Sequence, residues 1–315
     1  MNNRRSFIVG IKSTKLLPRE KSFLKKYRPW GIILFTRNIK NISQASKLTS
    51  SIREIFNDNN YPILIDQEGG RVNRLENIIS FENLTSEYFG KKYVNNINEF
   101  KFYFKLFIDK TSYLLKSIGV NINTTPVLDL RVKGSSNIIG DRSFSNNPKI
   151  VSKIGDYCIK YFHENGIGTV IKHIPGHGLA KVDSHHLTPI VKKKLKYLLK
   201  NDFITFKNKK TFFAMTAHIV FSEVDKENTV THSKKMINLI RKKIGFKNIL
   251  ISDDLSMKSL KGSIKENTIK TFNAGCNLAL HCNGNFKEME IVGKNSPLIN
   301  NFISKKTSQF YKIIS

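Results

Sequence analysis

An α/β barrel of the (β/α)8 TIM type, in one domain over residues 1–315, is the fold this sequence predicts, and three observations predict it. Eight short runs rich in β-branched and apolar residues recur along the chain. Most are separated by helix-length, amphipathic, Lys-rich stretches, the pattern of repeated strand-helix units around a buried parallel sheet. Polar residues gather at the C-terminal ends of these runs, where the loops of a parallel barrel converge. The Gly-x-Gly-x-x-Gly turn of a dinucleotide-binding sheet does not follow the first run. A doubly wound open sheet is the alternative architecture.

The first run, residues 7–11, follows a polar, basic start and stops at Lys12. That is shorter than the roughly 7–15 apolar residues of a signal peptide, and no small-residue cleavage site follows, so it reads as a core strand. Arg4-Arg5 alone is too little for a twin-arginine signal. The second run is 31–35. The third, 63–66, leads into Asp66-Gln67-Glu68-Gly69-Gly70-Arg71, and the fourth, 120–127, has Asp129 just beyond it. The fifth, 169–173, ends in Lys172-His173 and opens into Pro175-Gly176-His177-Gly178, then Asp183-Ser184-His185. The sixth, 212–218, ends in His218, the seventh, 249–253, in Asp253-Asp254, and the eighth, 277–282, beside His281 and Asn283. Residues 298–315 carry apolar and basic positions at intervals that suit a terminal helix.

Hydrophobic residues make up 40% of the chain, enough for a full core, and no stretch reaches the roughly 18–20 consecutive apolar residues of a membrane helix. Cys158, Cys276 and Cys282 form no Cys-x-x-Cys pair, which favours buried, inert thiols in a reducing compartment over a disulfide framework. The formal net charge of +29 raises a nucleic-acid partner. The lysines are diffuse, however, and accompany abundant Asn and Ile, which share A/T-rich codons with Lys. Solvated faces shaped by mutational bias account for the charge, and no specific nucleic-acid partner is expected.

Asp253 and Asp254 are adjacent, so on an extended strand their side chains take opposite faces and one alone projects into the barrel mouth. That one is a candidate nucleophile. The competing reading makes both acids the N-cap and first turn of a helix from Leu255. Asp183 and His185 are spaced so that a loop can fold the carboxylate onto the imidazole and set its tautomer and basicity, a workable acid/base pair near neutral pH. Gly176 and Gly178 imply a turn that needs positive φ or room. Asp66 and Glu68 share a face if the strand stays extended and can hold sugar hydroxyls, or they form an acidic turn paired with Arg71 or Arg74. Arg142 is readable as a ligand or as half of a local ion pair. His173 and His177 flank Pro175-Gly176 and no Cys joins them, so neither a metal nor any other cofactor is expected.

Taken in order, five segments resemble the glycoside hydrolase family 3 β-N-acetylhexosaminidases, specifically the single-domain bacterial cytoplasmic enzymes of cell-wall recycling. The most specific is Lys172-His173-Ile174-Pro175-Gly176-His177-Gly178 with Asp183-Ser184-His185. It is joined by Asp66-Gln67-Glu68-Gly69-Gly70-Arg71-Val72, Gly140-Asp141-Arg142-Ser143-Phe144, Met215-Thr216-Ala217-His218 and Ser252-Asp253-Asp254-Leu255-Ser256-Met257. The resemblance implies a retaining mechanism in which Asp253 attacks the anomeric carbon and His185, assisted by Asp183, serves as acid and then base. It implies that Asp66, Arg74, Arg142, Lys172 and His173 bind an N-acetylglucosamine ring, and that the substrate is a muropeptide acted on in the bacterial cytoplasm; a monomer is expected. The chain departs from the commoner family pattern at Ile174, Ser145 and Asn277. Asp254, where two-domain β-glucosidase relatives usually carry Trp, favours the hexosaminidase branch. A basic nucleic-acid-binding barrel with lost or subordinate catalysis is the competing function, and the intact set of Asp253, Asp183 and His185 argues against it.

Overall fold

The computed structural model describes residues 3–184 and 187–314. Its parallel strands are β1 (Arg5–Gly10), β2 (Pro29–Leu34), β3 (Ile63–Ile65), β4 (Ile122–Asn123), β5 (Gly168–Ile174), β6 (Ile190–Val191), β7 (Phe213–Thr216), β8 (Val220–Phe221), β9 (Ile249–Asp254) and β10 (Leu278–His281). Eight of them close a barrel in the order β1-β10-β9-β7-β5-β4-β3-β2, one for each predicted run. β6 and β8 pair apart from it in a small sheet that the sequence did not announce.

Strand alternation explains why the runs are apolar on both faces. Ile8, Ile33, Leu64, Val170 and Ile251 point into the barrel, whereas Phe7, Val9, Ile32, Leu34 and Leu250 meet the surrounding helices. The predicted strand at 120–127 shrinks to Ile122–Asn123. Pro126 has no N–H for a ladder, and Val127 keeps only an isolated bridge to Lys172.

The expected terminal helix forms over Asn301–Ile314 and buries Ile303, Thr307 and Phe310. It seals the N-terminal end of the barrel: the Trp30 indole N–H donates to Thr307 Oγ1 at 2.9 Å, and the Phe310 and Phe213 rings meet edge to face at 5.2 Å. With one end plugged by aromatic packing, the opposite end is left for a site.

Candidate active site

At the C-terminal end of the barrel a cavity of about 270 Å³ is lined by residues from several strand ends, among them Asp66, Arg74, Arg142, Lys172, His173 and Asp253. These are six of the eight residues singled out from sequence. The seventh, Asp183, lies on the loop that contributes Ser184 to the lining, and its carbonyl accepts from Leu187 N–H at 3.0 Å. The eighth, His185, lies outside the described residues.

Lys172, near the end of β5, is the hub. Its ammonium donates to Asp66 Oδ1 at 2.8 Å and to Thr124 Oγ1 at 3.1 Å, and pairs with Glu68 Oε1 at 2.6 Å. β3 stops at Ile65, yet Asp66 and Glu68 do face the same way, because one buried cation holds both. Thr124 Oγ1 also donates to Asp66, and Arg74 approaches its other oxygen at 3.9 Å.

Arg142 makes no local ion pair among the described residues. It reaches across to Glu68 as a two-pronged fork, Nε to Oε2 at 2.8 Å and Nη2 to Oε1 at 2.9 Å. Its sequence neighbour Asp141 pairs instead with Arg71 at 2.9 Å. Two loops distant in sequence are thereby clamped over one side of the cavity. Burial disfavours every charge here, but the opposite charges outweigh it: Arg142 and Lys172 hold Glu68 far below the usual carboxylate range, Lys172 and Arg74 hold Asp66 below it, and Asp66 and Glu68 hold the Lys172 ammonium above its ordinary value.

A second cluster fixes the turn after β5. The buried Asp129 carboxylate accepts from His173 N–H, pairs with His173 Nδ1 at 2.7 Å and accepts from His177 N–H at 2.7 Å. His173 and His177 are therefore fastened around one carboxylate and aimed by it. His177 Nε2 lies 3.0 Å from Ser184 Oγ, tying the turn to the loop that carries Asp183, and burial with nearby His173 pushes its imidazole down to about 4. Gly176 sits at φ +145, and at Gly178 an added Cβ would collide with the Leu130 carbonyl, so the turn needs both the conformational freedom and the room that the glycines provide.

β9 runs through both acids, and no helix starts at Leu255. Asp254 closes a turn, accepting from Ser256 N–H and Oγ and from Cys282 N–H. Asp253 lines the cavity. Among the described residues its one hydrogen bond is from Asp254 N–H at 2.8 Å, and no cation pairs with it directly. Desolvation opposes its ionisation, but the nearby His218 and His173 hold the carboxyl below the usual range, so it is anionic at neutral pH. His218 is itself held by Thr231 Oγ1 at 2.7 Å and the Asp254 carbonyl at 3.0 Å. An anionic carboxylate on one wall, facing a cavity whose other charges are already matched, can act as a nucleophile towards an electrophilic carbon.

Asp129 was legible only as a polar residue beyond a strand end, His218 as that and as part of a family-like segment, and Glu68 as a carboxylate sharing a face with Asp66; the pairings they make were not legible. Their partners lie 44 or more positions away for Glu68 and Asp129, a distance that local spacing does not encode.

The family profile described as glycosyl hydrolase family 3 N terminal domain matches residues 9–306. A beta-hexosaminidase of Nitrosomonas eutropha is 31% identical over 288 residues, covering 88% of this chain and 80% of its own length. The beta-hexosaminidase of Haemophilus influenzae is 31% identical over 286 residues, covering 88% and 79%. Native NagZ from Neisseria gonorrhoeae superposes with a TM-score of 0.88 at 29% identity, over 98% of this chain and 90% of that one; the same protein has been crystallised with N-trifluoroacetyl-D-glucosamine.

Proposed function

The chain belongs to glycosyl hydrolase family 3 and is a glycoside hydrolase of the β-N-acetylhexosaminidase type, and from that premise we propose that it releases terminal β-linked N-acetylglucosamine from muropeptides with retention of configuration. The observation that carries this reading is Asp253, the cavity carboxylate that no cation neutralises by contact among the described residues. Its oxygen attacks the anomeric carbon while His185, protonated and assisted by Asp183, passes its proton to the departing glycosidic oxygen. In the second step His185 takes a proton from water as that water displaces Asp253 from the sugar.

Lys172, Asp66, Arg74, Arg142 and His173 are proposed to bind the ring hydroxyls and the acetamido group, with charge-assisted hydrogen bonds supplying orientation. A cavity of about 270 Å³ at the barrel mouth suits one N-acetylated sugar, which supports exo cleavage. Three free cysteines suit a reducing compartment, in line with cell-wall recycling in the bacterial cytoplasm.

Proton NMR of a 4-nitrophenyl β-N-acetylglucosaminide digest tests the stereochemistry. The β-anomer should form first, and the α-anomer as first product would overturn the retaining scheme. Release of N-acetylglucosamine from a purified N-acetylglucosaminyl-anhydromuramyl peptide, compared with chitobiose, tests the substrate: preference for chitobiose refutes the muropeptide assignment while leaving the reaction class intact.

A further inference from the structure

Seven of the fifteen large apolar side chains exposed on the described surface fall between residues 88 and 113, on the helices Ser86–Asn95 and Ile97–Ser117. On the longer helix Phe102, Leu106 and Tyr113 are 65%, 57% and 65% exposed. Spacings of four and seven residues place them in one row along the outer face, while Phe100, Phe104, Phe107 and Ile108 are buried on the inner face. Ordinary surface exposure scatters apolar side chains singly; a row on one helix marks a contact.

The row is flanked by cations, and Asp109, which lies between Leu106 and Tyr113 on the same helix, is paired with Lys105 at 2.7 Å. Lys101, Lys110 and Lys116 are exposed on the same helix and make no ion pair among the described residues. The ammonium of Lys92, paired with Glu99 at 2.9 Å, lies 4.7 Å from the centre of the Tyr103 ring, on the rim of the same face.

We propose that this face docks on an anionic lipid bilayer, with Phe102, Leu106 and Tyr113 entering the headgroup boundary and the flanking lysines meeting lipid phosphates. Charge complementarity selects this occupant. A second copy would bring another +29 formal charges against the first and is repelled. A nucleic-acid backbone would engage the lysines but leave the apolar row in water. A bilayer surface satisfies both, since acyl chains accept the apolar row at the depth where basic side chains reach the phosphates. Neither helix contributes to the lining of the catalytic cavity, so docking leaves that cavity open. The inference goes beyond the proposed hydrolysis and is independent of it.

Co-sedimentation with large unilamellar vesicles tests it, using pure phosphatidylcholine and a phosphatidylcholine and phosphatidylglycerol mixture. The parent protein should bind the mixture at low salt and not pure phosphatidylcholine. Phe102→Ser/Leu106→Ser/Tyr113→Ser should bind the mixture roughly tenfold more weakly or worse, and Lys101→Glu/Lys110→Glu/Lys116→Glu should lose binding too, with aryl glycosidase activity and the unfolding midpoint retained by both. No binding by the parent overturns the proposal. So does a serine variant that binds as the parent does, which would leave charge alone as the cause. Self-association in sedimentation velocity that the serine substitutions abolish would assign the face to a second copy instead, and DNA binding abolished by the same substitutions would assign it to nucleic acid.

Discussion

Glu68→Gln is the most informative perturbation of this barrel, because it changes one charge and almost no volume. The buried set Asp66, Glu68, Lys172 and Arg142 is electrically neutral as it stands, with side-chain exposures of 16%, 3%, 3% and 12%. The substitution leaves it with one uncompensated cation away from water. Breaking a buried pair in this manner costs about 3–5 kcal/mol, since one charge stays desolvated without its counter-charge. Unfolding entropy of about 2.1 cal/mol/K per residue over 315 residues makes each kcal/mol worth about 1.5 °C, so the midpoint should fall by about 5–8 °C. The sign with pH is fixed as well. Glu68 is held far below its ordinary range in the fold, so its contribution is fully present above its unfolded value of about 4.3 and drains away as pH falls below that. Thermal and urea unfolding followed by circular dichroism at pH 7 and pH 3 measures both effects: a large gap between parent and variant at pH 7 and a smaller one at pH 3. Glu68→Gln/Arg142→Met should recover part of the loss by removing the stranded cation. A variant within about 1 kcal/mol of the parent at pH 7, or a gap that does not narrow in acid, would refute the claim that this network is held by charge compensation.

Asp253→Ala should abolish turnover with every leaving group, whereas His185→Ala should still glycosylate with an activated aryl glycoside and then stall, the loss in acid/base assistance being roughly 10²- to 10⁴-fold; an equal first-step burst defect with good and poor leaving groups sinks this division of labour. Asp202 is buried with neither carboxyl oxygen hydrogen-bonded to a side chain among the described residues, and burial pushes it up to about 7. Its folded value is raised, so as an acid it costs stability as pH rises through about 4 to 7, and Asp202→Asn should be more stable than the parent at pH 8 but not at pH 3.5, read as unfolding midpoints. Chelation by EDTA should leave hydrolysis unchanged, because Asp66, Glu68 and Asp129 already have Lys172, Arg142 and His173 as partners; a loss restored by zinc would show otherwise.

Local pattern alone determined a good deal of this protein. Two-sided apolar runs carry their own assignment, because a parallel strand is buried on both faces wherever it lies, and all eight barrel strands were visible for that reason. The position of Asp66, Lys172, His173 and Asp253 at strand ends was equally local, and the closure of a parallel barrel brings such ends to one mouth. What only the tertiary structure decided is which charge meets which. Arg142 has Asp141 beside it in sequence but pairs with Glu68, 74 residues away. Asp129, unremarkable beyond a short strand, holds both His173 and His177. Asp254 turns out to cap a turn rather than a helix, with Cys282 of the neighbouring strand end as partner. The physical reason is that burial and periodicity are properties of a segment, readable within a few residues. Pairing among buried charges depends on which loops the closed sheet sets side by side, and that is a property of the whole chain.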